Sequence, residues 1–180
     1  MKKQFGDQVS AIELFAIDGE LFNLDVVKGK RNMLSFFRFA LCPFCNLRVD
    51  QLVSRFEELG ETFTIIAIFD SPLDNLQKHA QDHDAPFPIL ADPENIYYRK
   101  YGIERSFAGV LKGMVFRMSP LLKGMFKGYL PLQIRGSMTT MPADFLVDEF
   151  GVIQKAWYGR GEGNHLSFEE IKRFSEKQMQ

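Results

Sequence analysis

Asn32-Met33-Leu34-Ser35-Phe36-Phe37-Arg38-Phe39-Ala40-Leu41-Cys42-Pro43-Phe44-Cys45 ends on both cysteines of the 180-residue chain. Residues 32–39 are rich in apolar and aromatic side chains, as a buried parallel strand is. Beyond the cysteines, Leu47, Val49, Leu52, Val53, Phe56 and Leu59 recur at helical spacing, so residues 43–59 read as an amphipathic helix. The thiols therefore stand where a strand gives way to a helix. The first turn of a helix presents unpaired N–H groups and the positive end of the macrodipole, and both favour thiolate over thiol. A reactive redox centre is the leading reading of the pair. Cys42, at the helix start and within reach of solvent, is the expected nucleophile. Cys45, one turn further in, is the covered partner.

The rest of the chain extends this unit in both directions. Residues 11–24 turn about Asp18-Gly19 and read as a short hairpin. Residues 62–69 are a second buried strand, β-branched and nearly all apolar. Ser71-Pro72 opens a helix to about His83. Residues 87–91 form a short strand, and Asp92-Pro93 opens a helix to about Tyr101. Residues 145–148 and 152–158 are antiparallel strands joined at Glu149-Phe150-Gly151. Ser167 caps a terminal helix, with Glu170 completing a capping box. This order predicts an α/β fold, a central mixed sheet flanked by helices, in one domain spanning 1–180.

Composition narrows the function. Hydrophobic residues make up 46%, charged residues 25%, and the net charge is -1, so no global field points to nucleic acid. Met1-Lys2-Lys3-Gln4-Phe5-Gly6-Asp7 lacks the apolar core of a secretory signal, and no apolar run approaches the ~18 residues of a membrane span. A cytoplasmic location is expected, where a close cysteine pair is more often catalytic or metal-binding than a structural disulfide. Structural zinc requires four ligands, and no second cysteine pair exists. His79 and His83, with Asp82 and Asp84 nearby, read as solvated surface groups. Gly159-Arg160-Gly161-Glu162-Gly163 follows a hairpin strand, so it reads as a turn rather than a phosphate loop. No metal and no cofactor are expected.

Four pieces of the chain carry a family resemblance: residues 36–45; Asp84-Ala85-Pro86-Phe87-Pro88-Ile89-Leu90-Ala91-Asp92; residues 141–153, beginning Met141-Pro142-Ala143-Asp144; and the hairpin at Asp18-Gly19. With them the chain resembles the thioredoxin-fold superfamily, and within it the AhpC/TSA, peroxiredoxin-like branch with a Cys-x-x-Cys site. The resemblance implies a thioredoxin-like fold with an N-terminal β-hairpin. It implies a cis Met141–Pro142 bond that sets the Met141 backbone beside Cys42. It implies a disulfide or peroxide substrate and an external thiol reductant of the thioredoxin or glutathione kind. In this scheme Cys42 attacks and Cys45 resolves; the reversed assignment is the alternative.

The chain also departs from the family pattern. Peroxiredoxins have Thr or Ser three residues before the attacking cysteine; here that slot is Cys42 or Phe39, depending on register. Their Arg before the terminal hairpin strand is replaced by Pro142. The buried acid of thioredoxins falls on Phe36. These departures point away from efficient peroxidase activity. Arg38 and Arg48 are the cations left to lower a thiol pKa. The candidate site is therefore Cys42, Cys45, Pro142 and Arg38.

Residues 103–137 match no part of a minimal thioredoxin fold. Arg105, Lys112, Arg117, Lys123, Lys127 and Arg135 alternate there with Met, Phe and Leu, and no acid falls between Arg105 and Gly136. A helical insertion split at Pro120, with Ser119 capping its second half, is the leading reading. A homodimer contact and an anionic-surface patch are the alternatives, and a membrane role is the less favoured. Two functions compete with the enzyme: a non-catalytic binding module and a redox sensor, each acting through this segment.

Overall fold

The structure, a computed structural model, describes residues 1–80, 83–105, 139–161 and 163–176. The insertion expected at 103–137, apart from residues 103–105, lies outside them. Strands β1 (Glu13–Phe15) and β2 (Leu21–Asn23) pair as the expected hairpin. The main sheet contains β3 (Arg31–Phe37), β4 (Phe63–Phe69), β5 (Ile89–Ala91), β6 (Ala143–Val147) and β7 (Ile153–Tyr158), in the order β5-β4-β3-β6-β7. β3, β4 and β5 run parallel, while β6 and β7 pair antiparallel. Four described helices accompany them: α1 (Pro43–Ser54), α2 (Leu73–Ala80), α3 (Ile96–Lys100) and α4 (Phe168–Ser175). A 3-10 turn at Phe56–Leu59 follows α1, so the predicted helix 43–59 is broken at Arg55.

The apolar character of β3 follows from having both faces covered. Met33 and Phe37 face a core with α1, α2 and α4; Leu34 and Phe36 face one with α3 and the N-terminal hairpin. All four side chains are fully buried. The β3–β6 register places Ser35 opposite Asp144, two polar residues inside the α1 face. Hairpin β6–β7 turns as read: Asp148 Oδ1 accepts from Phe150 and Val152 N–H at 3.0 and 2.8 Å, and Gly151 takes a φ of 77°. At α4, Ser167 Oγ caps the Glu170 N–H at 3.3 Å. The Glu170 carboxylate turns to the Ser167 hydroxyl and Lys155 instead of the Ser167 amide, so half of the capping box forms.

Tyr98 of α3 locks the strand ends that precede the cysteine turn. Its hydroxyl lies 2.6 Å from Phe37 O and 2.9 Å from Ile68 O, between β3 and β4. Replacing Tyr98 by Phe leaves two carbonyls sharing a lost donor, and should cost about 1–2 kcal/mol in urea unfolding.

Candidate active site

The chain leaves β3 at Phe37 and turns through residues 38–42 into α1. Cys42 N–H donates to Phe39 O at 3.0 Å, closing the turn, and Asn46 N–H donates to Cys42 O at 3.0 Å as the helix begins. Cys42 is the N-cap residue, extended at φ −69° and ψ 115°, and Pro43 takes a first-turn position. Proline suits that place because its φ is preset and the N–H it lacks would have no helical partner.

Cys42 makes no side-chain capping bond. The amide aimed at a sulfur comes from the other side: Arg38 N–H donates to Cys45 Sγ at 3.4 Å. The Arg38 guanidinium supplies the second contact, with Nη1 donating to Cys42 Sγ at 3.8 Å. Arg38 thus reaches both sulfurs, and three of the four candidate residues come together.

Both cysteines are free thiols. The expectation that solvent reaches Cys42 is corrected, because it is 0% exposed and Cys45 is 1% exposed. Phe39, Ala40, Leu41 and Phe44 are buried with them in one apolar cluster. Burial pushes the Cys45 thiol well above the ordinary range. Its hydrogen bond to the Cys42 sulfur and the charge there raise it further, against the opposing Arg38 charge and N–H. Cys45 therefore keeps its proton at neutral pH.

Pro142 does not play its expected part. The Met141–Pro142 bond is trans, since no cis peptide occurs among the described residues. Met141 N–H is committed to Glu104 O at 3.0 Å, within the bridge pairing Arg105 with Thr140. Pro142 O accepts Gly159 N–H at 2.8 Å, and a Cβ built on Gly159 would stand 2.8 Å from the Pro142 ring. Pro142 lines a cavity with Glu104, Tyr158 and Arg160. The backbone bonding of the 103–105 segment thus occupies the Met141 N–H that the resemblance would offer to a bound peptide.

Arg48 faces away from the thiols as well, donating to Gln51 Oε1 at 2.7 Å and Leu166 O at 2.8 Å. Phe36 does occupy the opposite face, its ring 5.1 Å from those of Tyr98 and Tyr101. A buried carboxylate nonetheless lies on the α1 face, contributed by the neighbouring strand. Asp144 accepts from Ser35 Oγ at 2.6 Å and Leu166 N–H at 2.7 Å, and pairs with His165 Nδ1 at 2.9 Å. Burial alone would raise this carboxyl; His165, Arg48 and Ser35 outweigh it and hold it below the usual range. Asp144 thereby anchors His165 and Leu166, and nearby Gly163 abuts the Phe44 side chain.

His83 is also corrected. It is buried, not solvated, with Nδ1 at 2.9 Å from Asp50 Oδ1 and Nε2 at 2.7 Å from Asn46 Oδ1. Among the described residues no cluster of three or more His, Cys, Asp or Glu side chains could hold a metal ion. Nor is any described helix long and apolar enough to cross a membrane.

A thioredoxin-like sheet with a dithiol at the start of α1 defines the class. Residues 5–156 match the model of the AhpC/TSA family, and the chain belongs to it. Peroxiredoxin Bcp of Escherichia coli K12 is 26% identical over 120 residues, covering 65% of this chain and 77% of that protein. The structure of peroxidoxin BcpB from Mycobacterium tuberculosis superposes with a TM-score of 0.70 at 16% identity, covering 96% of both chains. Thiol peroxidase from Chromobacterium violaceum gives 0.67 at 15% identity, over 96% of this chain and 86% of that one. These two likenesses establish the fold. The family and the cysteine pair support a redox function, that of an oxidoreductase type of enzyme with a thiol-reductant or peroxide type of partner.

The raised Cys45 thiol has a consequence for stability. Above pH 9 the unfolded chain releases a proton that native Cys45 still holds, so stability falls as pH rises. This group alone contributes a slope of at most ~1.4 kcal/mol per pH unit. Denaturant titrations of the reduced protein should show the decline, and Cys45→Ser should make it shallower.

Proposed function

We propose that the protein is a dithiol oxidoreductase whose Cys42 thiolate attacks a small oxidant and whose Cys45 resolves the product. The observation that carries this is the Arg38 guanidinium on Cys42 Sγ beside a protonated Cys45. The cation favours the anionic sulfur, and the neighbouring S–H donates to it. With a hydroperoxide ROOH, the thiolate sulfur bonds to the distal oxygen, the O–O bond breaks, and the alkoxide leaves as ROH, taking back from solvent the proton that Cys42 released on ionising. Cys42 is then a sulfenic acid. Cys45 sulfur attacks it, expelling the hydroxyl as water with the Cys45 proton, and closes the Cys42–Cys45 disulfide. Two external thiols restore the dithiol and leave as their own disulfide.

Burial of both sulfurs favours a small oxidant over a folded protein's disulfide. The trans Met141–Pro142 bond and the occupied Met141 N–H support the same preference. Reduction of protein disulfides is the slower activity under this reading. A reducing compartment such as the cytoplasm suits the cycle, since it would return the pair to the free-thiol state.

With peroxide and a thioredoxin or glutathione recycling system, the wild type should consume peroxide, and more rapidly than it reduces insulin. Cys42→Ser should abolish consumption. Cys45→Ser should complete one oxidation and then trap a mixed disulfide with an added thiol. A trap formed by Cys42→Ser and not by Cys45→Ser would reverse the two roles, as the Arg38 N–H on Cys45 would then favour. Arg38→Met should slow the first oxidation by about ten-fold or more, read as sulfenic acid formation by mass spectrometry.

A further inference from the structure

Asn46 follows Cys45 directly and is 1% exposed. Its Nδ2 donates to Ala40 O at 2.7 Å and to Cys42 O at 3.0 Å. Two carbonyls can be met only by the NH2 end of the amide, so the orientation of Asn46 is settled and its Oδ1 is the acceptor. His83 Nε2, 2.7 Å away, must donate to that oxygen. His83 Nδ1 lies 2.9 Å from a carboxylate oxygen, Asp50 Oδ1. A chain of hydrogen bonds therefore runs from Asp50, partly exposed on α1, through two buried side chains to the turn that carries Cys42.

The geometry assigns Asn46, oriented by His83 and Asp50, as the positioning residue of the Cys42 thiol. Cys42 O receives two bonds from this one residue, from the amide N–H at 3.0 Å and from Nδ2 at 3.0 Å. Together they hold the Cys42–Pro43 peptide. Ala40 O is held by the same group, so the turn is gripped on both sides of Leu41. That turn belongs to no strand or helix, and Pro43 offers no N–H to steady it. The direction of the Cys42 Cα–Cβ bond, and with it the approach of Sγ to Arg38 and to an oxidant, depends on this clamp. His83 is delivered to its place by a turn in which the next residue, Asp84, takes a φ of 45°. Aspartate tolerates that left-handed conformation better than most side chains. The role rests on the proposal that Cys42 is the attacking thiol.

The test is a double-mutant cycle on the alkylation rate of Cys42 by iodoacetamide, in variants shown to be folded by circular dichroism. Asn46→Ala and His83→Ala should each lower the rate by about ten-fold or more, as small misplacements of reacting groups do. The double variant should be no slower than the slower single one, since both remove the same clamp. Asp50→Asn keeps an oxygen for His83 and should stay within about three-fold of wild type, while Asp50→Ala should fall below it. The Asp50 pair reads the network from its outer end if the inner variants fail to fold. Rates within about two-fold of wild type alongside a lowered melting temperature would overturn the role, as would effects that multiply in the double variant. Alkylation does not require peroxide turnover. A wild type that consumes no peroxide would defeat the proposed function and leave this cycle readable.

Discussion

A single residue, Arg38, touches both sulfurs from two different atoms, and in the proposed reading the chemistry of the site depends on it. Its backbone N–H is fixed on Cys45, and its own carbonyl accepts Asp70 N–H at 3.2 Å, so the main chain has no freedom to rotate away. Its guanidinium, in a side chain among the most deeply buried of the molecule, bends back to Cys42 and over the Phe39 ring. A buried cation is costly unless negative charge meets it. In the proposed reading an ionised Cys42 is one such charge, while burial pushes the Cys45 thiol up and the Arg38 charge and N–H pull against that rise. Under that reading, the difference in role between the two covered thiols rests on where the Arg38 side chain ends.

The start of α1 is held from both flanks by a buried histidine paired with a carboxylate. On one side His83 and Asp50 orient Asn46 beneath the cysteine turn. On the other, His165 and Asp144 secure Leu166 and the loop that packs Gly163 on Phe44. The two pairs differ in their attachment. The first reaches the backbone of the cysteine turn through Asn46, while the second holds the Leu166 amide. A helix N-terminus carrying a Pro-containing turn has few backbone donors of its own, so side-chain networks supply the rigidity that helical hydrogen bonds do not.

Most of the architecture was legible in local pattern. The apolar run at β3, the helical stripe after Cys45, the Asp18-Gly19 hairpin and the Ser167 cap each depend on residues close in sequence, and each element formed. The site was legible where its partners are close: Arg38 lies four residues before Cys42. It was illegible where partners are distant. Asp144 meets Ser35 across 109 positions, and His83 meets Asn46 across 37, so a polar residue in an alternating pattern gave no sign of burial. Only the strand register shows that Asp144 points inward beside Ser35. The cis bond expected at Pro142 came from family likeness, and the bond is trans, with Met141 N–H on Glu104 O and Pro142 O on Gly159 N–H. Access to Cys42 was misjudged because helix starts are commonly exposed, while here Cys42 is buried in one apolar cluster with Phe39, Leu41 and Phe44.

The most direct measurement is the alkylation rate of each thiol, resolved by mass spectrometry across pH in the reduced wild type. Cys42 should be modified first at neutral pH, with Cys45 reacting only in strongly alkaline solution. Modification of Cys45 as fast as or ahead of Cys42 at neutral pH would contradict the division of labour proposed for the two thiols.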